Sequence, residues 1–381
     1  MESKISFQVS KNELQKHLAK VSKAVRDKAT LPIYTMFLFE LSGELLKLTG
    51  TDTEIQIEST LPILETSGDL SFCVDKSIID ILKTLPEQPL TIEVSVVKTS
   101  DTLNRVEVNI VHSSGNVSTH GEESITYSKM KDVSGASFKV EASKLKRGLD
   151  KTQKFAYGST DKPAINSVYL DITPDSMTFV GTDQIIVSRF RDSSVKVEGV
   201  QSFILGVDSA KSLYTLIDPL GDELVKITNN PNNVSFESKG FKLTSRLYEG
   251  TYVNYNGPFP ASSPIQLKTS AKLLTNIVSR LLSVSPKESS LIRVESGMMQ
   301  SYFTAKDIML NKSANESIDC ECNGEIKIGI NGKRLLDMVG VIEDNVLLSF
   351  TAPNKPIIVS PERQNEDCNL EILVMPIVLN D

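Results

Sequence analysis

The residues best suited to acid–base chemistry are two aspartates, Asp52 and Asp183, each ending an identical Gly-Thr-Asp turn. Aspartate also caps turns through its own side chain, and the recurrence of one turn at two places favours that structural role. The chain contains no phosphate-binding loop, dinucleotide fingerprint, zinc-protease helix motif or nucleophile elbow. His17 stands among lysines on a predicted helix, where we expect it to be exposed to solvent. We therefore expect a protein without catalytic activity.

The cysteines and histidines give little support for a metal site or for redox chemistry. Cys320 and Cys322 form a lone pair two residues apart. On a strand they would share one face, and this predicts buried thiols. The three histidines, His17, His112 and His120, have no metal-ligand spacing. The sequence predicts reduced thiols, a cytoplasmic protein, no cofactor and no structural metal.

The elements that position these residues belong to a chain of 381 residues, a length that predicts two or three domains. Hydrophobic residues make up 40% and charged residues 23%, as in an ordinary soluble globular protein. No apolar run approaches the ~18 residues of a membrane span. The N-terminus also lacks the pattern of a signal peptide. These features exclude a membrane protein and argue against secretion.

An internal repeat organises the chain. Three anchors align when the sequence is shifted by 131 residues, as when Phe7 is laid on Phe138. A third copy begins near residue 265 at a looser shift, and its turn has changed to Thr304-Ala305-Lys306-Asp307. The anchors are Phe7 and Val9 on Phe138 and Val140, Gly50-Thr51-Asp52 on Gly181-Thr182-Asp183, and Ser71-Phe72 on Ser202-Phe203.

Each copy predicts two helices packed on antiparallel strands. The sequence therefore predicts an α+β fold of three tandem similar domains, at residues 1–130, 131–257 and 258–381. Their boundaries fall in the polar stretches 112–136 and 254–264. Hydrophobic periodicity predicts the first helices of the copies at 12–26, 143–157 and 270–284, and the second helices at 76–85, 208–217 and 332–342.

Positive charge is concentrated on the first helices, although the chain carries a net charge of −7. In the first copy Lys16, Lys20 and Lys23 lie opposite the apolar face. Their equivalents at the same shift are Arg147, Lys151 and Lys154, and the third copy retains Arg280. An acidic protein with matching cationic helices is suited to a polyanion. Without interleaved aromatic residues or any Trp, duplex DNA fits better than a single strand. Alternatively, the lysines only solvate exposed helix faces.

Particular sequence stretches resemble the bacterial sliding clamp family, the beta subunits of DNA polymerase III. These are TLPIYTMFLFEL at 30–41, LTGTDTEIQIE at 48–58 and the closing VMPIVL at 374–379. The resemblance implies a clamp fold and a head-to-tail homodimeric ring of six domains, with helices toward the pore. Double-stranded DNA would thread the ring without sequence readout, and the ring would tether the replicative polymerase without bond chemistry.

The resemblance also places the DNA and the subunit contacts. Lys28 and Lys83 match DNA-facing positions, and the charge pattern adds Lys20, Lys23, Arg147, Lys151, Lys154 and Arg280. An edge strand around 106–112 would pair with the third domain of the other subunit, near Leu282 and Val284.

A peptide-docking pocket between domains 2 and 3 is implied as well. There the polymerase, the clamp loader and repair proteins would dock through a short apolar-ended motif. An apolar chain end is unusual, and Met offers an adaptable wall. Alternatively, 374–379 is a terminal strand in the core. The matching positions are Lys162, Ile165, Thr182, Gln184, Ile185, Val187, Val253, Pro258, Leu373, Val374, Met375, Pro376 and Ile377.

The pocket departs from the family pattern at several positions. Gln184 stands where the family commonly has Gly, and Val253 replaces a proline. Lys162-Pro163-Ala164 replaces basic and aromatic residues, and the tail continues through 379–381. We therefore expect an altered docking motif. A different class of function also stays open, namely a three-module β-rich scaffold or adhesion protein with no role on DNA.

Overall fold

The computed structural model describes residues 3–98, 104–156, 162–298 and 300–379. The chain forms two compact units. Unit 1 comprises residues 1–143 and 212–247, and unit 2 comprises residues 144–211 and 248–381. The division into three domains stays a prediction.

The α-helices of the described residues confirm the predicted positions to within a few residues. A short 3-10 turn follows each of the first two long helices, at Ser22–Ala24 and Gln153–Phe155. Residue 157, the predicted end of the second long helix, lies outside the described residues. The helices are α1 (Lys11–Val21), α2 (Ile78–Thr84), α3 (Ala142–Thr152), α4 (Val207–Ile217), α5 (Ala271–Leu282) and α6 (Gly332–Val339).

The strands in the first half of the chain are β1 (Ser3–Ser10), β2 (Met36–Ser42), β3 (Leu45–Thr51), β4 (Ile55–Pro62), β5 (Glu65–Thr66), β6 (Leu70–Asp75), β7 (Pro89–Lys98), β8 (Asn104–His112), β9 (Gly115–Glu123), β10 (Ala136–Glu141), β11 (Ser167–Thr173), β12 (Ser176–Thr182) and β13 (Ile186–Asp192). Those in the second half are β14 (Gln201–Gly206), β15 (Leu224–Asn229), β16 (Asn233–Ser238), β17 (Phe241–Arg246), β18 (Ile265–Ser270), β19 (Leu291–Ser296), β20 (Ser301–Asp307), β21 (Lys312–Ile318), β22 (Glu321–Cys322), β23 (Ile326–Asn331), β24 (Asn345–Phe350), β25 (Ile357–Pro361) and β26 (Cys368–Val374).

Unit 1 is built on one antiparallel sheet in the order β10-β15-β16-β17-β4-β3-β2-β6-β9-β8-β7-β1-β5. The pairing of β17 with β4, with Lys242 opposite Glu58, joins strands of the first two repeats. Two neighbouring repeats therefore share a continuous hydrogen-bonded sheet.

The predicted edge strand is internal, so that prediction was wrong. β8 pairs with β7 on one side and with β9 on the other. β9 itself pairs with β6 only through Gly121–Glu123, and residues 115–120 have no partner strand on that side among the described residues. The polar, alternating sequence of β9 lies within a stretch that composition marked as a boundary.

Unit 2 contains two antiparallel sheets. The larger has the order β14-β11-β12-β13-β26-β25-β24-β18-β22, and the smaller has the order β21-β20-β19-β23. The pairing of β13 with β26, with Ile186 opposite Val374, joins strands of the second and third repeats. β21 is an edge strand of the smaller sheet.

The helices bury the apolar faces that their spacing predicted. Leu14 and Leu18 of α1 and Leu145 and Leu149 of α3 are fully buried. Burying a side chain of this size contributes about 1.5–3 kcal/mol. Packing against the sheets, more than intrinsic propensity, therefore stabilises these helices.

The glycine of each Gly-Thr-Asp turn lies against the end of a helix. A Cβ atom on Gly50 would lie 2.4 Å from the carbonyl oxygen of Val21, the last residue of α1. A Cβ atom on Gly181 would lie 2.2 Å from that of Thr152, the last residue of α3. Only glycine permits this close approach of helix and strand, which explains why it recurs at both positions.

Candidate functional site

The repeated aspartates stabilise their own turns. Asp52 Oδ1 accepts hydrogen bonds from the backbone N–H groups of Glu54 (3.0 Å) and Ile55 (2.9 Å). Asp183 Oδ1 accepts from those of Ile185 (2.9 Å) and Ile186 (2.7 Å). These contacts confirm the predicted turn-capping role of both aspartates.

The second carboxylate oxygen of each aspartate meets an arginine. Arg26 Nε donates to Asp52 Oδ2 at 2.7 Å, and Arg334 Nη1 donates to Asp183 Oδ2. Sequence reasoning missed both arginines. The only signal for Arg334 was its place at the start of the predicted helix 332–342, which says nothing about a contact with residue 183.

His17 is buried, so the prediction that it is exposed was wrong. Only 7% of its surface is accessible, and its ring contacts Ser59 of β4. Its Nδ1 lies 2.8 Å from Ser59 Oγ, which donates to the carbonyl oxygen of Gly240 at 2.5 Å. Burial, and next the charge of Lys20, lower the pKa of His17 to about 4.

This arrangement does not activate a nucleophile. Glu13, His17 and Ser59 are in the order of a catalytic triad, with Glu13 Oε2 3.6 Å from His17 Nε2. Ser59, however, is 2% exposed and its hydroxyl proton is directed at a backbone carbonyl. A general base must reach the proton that it removes, and His17 faces the oxygen of a hydroxyl that already donates elsewhere.

Two equivalent lysines of the cationic pattern are bound by the chain itself. Lys20 Nζ donates to the carbonyl oxygen of Gly240 at 3.0 Å, and Lys151 Nζ donates to that of Val341 at 2.7 Å. Burial, and next the charge of Lys16, lower the pKa of Lys20. In each case a helix of one repeat is tied to a segment from the following repeat.

The two predicted DNA-facing arginines also have partners. Arg147 Nη1 lies 3.1 Å from Cys368 Sγ. Arg280 Nε donates to both carboxylate oxygens of Glu316, at 2.9 and 3.1 Å. That ion pair neutralises Arg280, the one cation of the repeated pattern that the third repeat retains.

The other predicted DNA-facing lysines are exposed. Lys23 and Lys154 are equivalent at the shift of 131 and lie in the 3-10 turns that follow α1 and α3. Within the described ranges, no carboxylate lies at ion-pair distance from Lys23, Lys28 or Lys154. Lys83 contacts Asp80 at 2.9 Å on the same helix. Exposed pairs of that kind are weak and leave the lysine available.

The predicted docking positions divide by exposure. Exposed are Lys162, Gln184, Ile185, Val253, Pro258 and Met375; half-buried are Pro376 and Ile377; buried are Ile165, Thr182, Val187, Leu373 and Val374. A set that combines buried and exposed apolar residues with a few polar ones has the composition of a binding surface.

The structure brings several of these positions together in unit 2. The backbone N–H of Met375 donates to the carbonyl oxygen of Ile185 at 3.1 Å. Lys162 Nζ lies 3.4 Å from Gln184 Oε1. Val187 and Leu373 share a hydrophobic cluster with Tyr252 and Ile358, and Ala164 and Phe259 pack against it. Segments from the second repeat, the linker and the tail therefore converge.

The tail is a strand only at its beginning. β26 ends at Val374, which is fully buried, whereas Met375 is 45% exposed. Farther on, the N–H of Ile377 donates to the carbonyl oxygen of Gly329 at 2.8 Å. The core-strand alternative for 374–379 therefore holds for Val374 alone among the described residues. Residues 380 and 381 lie outside them.

An aromatic cluster that sequence reasoning missed fixes the linker. The rings of Tyr169 and Tyr252 stack with centroids 4.6 Å apart. The guanidinium of Arg189 lies 4.1 Å from the ring centroid of Phe259 and also pairs with Glu371. Three aromatic residues within 252–259 were the available signal. The linker is thus held on β11, β13 and β26.

The thiols of the Cys-x-Cys pair are half-buried, so the prediction that both are buried was wrong. Cys322 Sγ lies 3.1 Å from the carbonyl oxygen of Gly324. By contrast, burial raises the pKa of Cys73 to about 12. Within the described ranges no three His, Cys, Asp or Glu residues are placed to hold a metal ion.

A groove of about 580 Å³ lies elsewhere in unit 2. Tyr302, Ile326 and Pro353 line it, and none of the predicted docking residues does. Among the described residues, no helix is both long and apolar enough to cross a membrane.

The chain matches two sequence models of one family. The model for the DNA polymerase III beta subunit N-terminal domain matches residues 5–119, and the model for its C-terminal domain matches residues 258–378. Together they span more than half of the chain.

Curated relatives agree with this match. The beta sliding clamp of Haemophilus influenzae is 22% identical over 379 residues, covering 98% of this chain and 100% of that protein. The beta sliding clamp of a Staphylococcus epidermidis strain is 25% identical, covering 98% and 99%.

Solved structures agree on the fold. A sliding clamp of Pseudomonas aeruginosa, solved with griselimycin bound, superposes with a TM-score of 0.90 at 22% identity. The superposition covers 99% of this chain and 100% of that one. The DNA polymerase III beta subunit of Thermotoga maritima gives 0.89 at 19% identity, with the same coverage. The predicted α+β clamp fold is confirmed.

Proposed function

From the fact that the chain belongs to the family of bacterial sliding clamps, the beta subunits of DNA polymerase III, we propose that it is a non-catalytic processivity factor. Two copies form a ring around duplex DNA in the cytoplasm. The ring holds the replicative polymerase on its template without reading the base sequence. Clamp loader and repair proteins use the same docking surface through short peptide motifs.

The observation that carries this proposal is the equivalent exposure of Lys23 and Lys154. Both lie just after the first helix of their repeat, and neither has an ion-pair partner in the described part of the chain. Lysines contact phosphates without regard to base sequence, so they can hold DNA loosely enough for sliding. Lys28 and Lys83 add two further exposed cations within unit 1.

The subunits join through open strand edges. β9 pairs with β8 on one side, but on its β6 side it has no partner strand over 115–120 among the described residues, and β21 is the edge of its sheet. Unpaired edges favour pairing with another chain. An edge of one copy joining a different edge of the second copy gives a heterologous contact, which closes into a ring when the rotation permits. This proposal replaces the predicted contact through 106–112.

Partner peptides dock where the Asp183 turn meets the tail. Ile185, Val253 and Met375 are exposed and apolar, and each lies within two residues of a cluster member, Val187, Tyr252 and Leu373 respectively. Apolar anchors in such a surface supply most of the binding energy of short peptides. Because Gln184 and Val253 depart from the family pattern, the preferred motif differs from the common one.

Topology-dependent retention on DNA tests the proposal. By light scattering, the protein should have twice the 41.9 kDa of the chain. After loading, it should stay on nicked circular DNA and dissociate when a restriction enzyme linearises that DNA. A monomer whose retention ignores the DNA ends would refute the ring and favour the scaffold alternative.

A further inference from the structure

Arg334 connects the third repeat to the turn that carries two docking residues. It lies in the first turn of α6, and its guanidinium pairs with Asp183 Oδ2. The side chains of the pair are only 27% and 19% exposed. We propose that Arg334 is a positioning residue of the docking site, an inference that rests on the docking function proposed above. It holds Asp183 so that the turn presents Gln184 and Ile185 to a partner peptide.

The location of Arg334 is unfavourable for the helix itself. A cation near a helix N-terminus opposes the macrodipole, and the first turn of α6 also carries Lys333 and no acidic residue. Helix preference therefore does not explain an arginine at this position. The contact with Asp183 offsets the unfavourable charge. A residue that breaks a local rule in this way often marks a functional contact.

The first repeat contains an equivalent arginine–aspartate pair, in which the arginine is close in sequence to the aspartate. Arg26 Nε donates to Asp52 Oδ2 at 2.7 Å, and the two residues are 26 positions apart. At the shift of 131, the residue equivalent to Arg26 is Tyr157. Because tyrosine carries no positive charge, the cation for Asp183 comes from a residue 151 positions away.

The Arg334–Asp183 pair is connected by hydrogen bonds to the turn and to the tail, the two segments that carry docking residues. Asp183 Oδ1 accepts from the N–H groups of Ile185 and Ile186, and the carbonyl oxygen of Ile185 accepts from the N–H of Met375. On the other side, Gly329 of β23, the strand leading into α6, holds the tail at Ile377. Moving the turn therefore moves Ile185 relative to the tail.

The backbone of the turn is strained at Gln184. Its φ is +78°, in the left-handed region that is unfavourable for a residue with a Cβ atom. The Asp183 contacts hold the turn in this strained shape. Without Arg334, the half-buried carboxylate loses its cation, and the strain can relax into a turn that no longer matches the peptide.

Peptide affinity in a double-mutant cycle tests the inference on the full-length protein. The probe is a fluorescein-labelled peptide that copies the short apolar-ended docking motif of the replicative polymerase. We expect Arg334→Met to weaken binding about tenfold, as loss of one charge-assisted hydrogen bond allows. Arg334→Lys should recover most of the affinity. In an Asp183→Asn background, Arg334→Met should change affinity less than about twofold.

Arg26→Met is the matched control, because it removes the equivalent ion pair in unit 1. It should leave peptide affinity unchanged. Equal weakening by both arginine variants, or no weakening by Arg334→Met, would overturn the positioning role.

Hydrogen exchange of the Ile185 and Ile186 amides separates this inference from the docking function. Arg334→Met should accelerate exchange at these amides, and Arg26→Met should not. If the wild-type protein binds no peptide, the docking function fails, and the exchange rates still decide the role of Arg334. Unchanged exchange in Arg334→Met would then refute it.

Discussion

The buried histidine makes stability depend on pH in a defined window. The pKa of His17 is lowered to about 4, mainly by burial, from an ordinary value of 6.5. The folded protein therefore keeps the ring neutral, whereas the unfolded chain binds a proton below pH 6.5. The contribution to stability is fully present above pH 6.5 and is lost as the pH falls toward 4.

The magnitude follows from the two pKa values. At pH 5 the unfolded chain is stabilised by about 2 kcal/mol relative to the folded one. Nearby charges adjust this value, since Lys16 and Lys20 disfavour the imidazolium and Glu13 favours it. The ring is also not wholly shielded from solvent, so we expect a loss of about 1–2 kcal/mol between pH 7 and pH 5.

Urea denaturation at both pH values measures this loss. His17→Asn is the reference variant, because a neutral amide can donate to Ser59 Oγ but does not titrate. The wild-type protein should lose about 1–2 kcal/mol more than His17→Asn between pH 7 and pH 5. Parallel losses, or an NMR titration of His17 with a midpoint near 6.5, would show that the buried network does not exclude the proton.

Other predictions concern the sites themselves. Met375→Asp should abolish peptide binding while the dimer survives, and Met298→Asp, an exposed methionine outside the predicted site, should change neither; unchanged peptide affinity in Met375→Asp would contradict the site. Gln184→Gly should raise the free energy of unfolding by about 0.5–1 kcal/mol, because glycine adopts its φ of +78° without strain, and a decrease would contradict this. Lys23→Ala should reduce the dependence of DNA affinity on salt by about one counterion per subunit, whereas Lys4→Ala, whose ammonium pairs with Glu93, should not.

Local periodicity was enough to predict the repeated helices and the Gly-Thr-Asp turns. Helical spacing of Leu14 and Leu18 identified the face that α1 buries, and the spacing of Leu145 and Leu149 did so for α3. The capping role of Asp52 could be predicted because its short side chain bonds backbone N–H groups only two and three residues away. Features within a few residues of each other along the chain leave a direct trace in the sequence.

Contacts between distant segments left no such trace. His17 was predicted to be exposed because its helical neighbours are lysines, yet its ring contacts Ser59, 42 positions away, which in turn donates to the carbonyl oxygen of Gly240. β9 escaped notice because its exposed polar residues resemble a linker. β9 has an open edge because β6 pairs with it only through Gly121–Glu123. The extent of that pairing is set by the folded sheet and cannot be read from the sequence.

The cationic repeat shows how one sequence signal can have two physical causes. Recurrence of three cations at a constant shift favoured a shared ligand over simple solvation. In the structure, Lys20 and Lys151 instead donate to carbonyl oxygens of the following repeat. A duplicated domain that must hold its next neighbour would conserve such a lysine even without DNA. Of the repeated cations, Lys23 and Lys154 are exposed at equivalent positions and carry most of the electrostatic argument, although burial lowers the pKa of Lys154. The proposed DNA contacts should therefore be sought at the ends of the first helices, beyond Lys20 and Lys151, which donate to the following repeat.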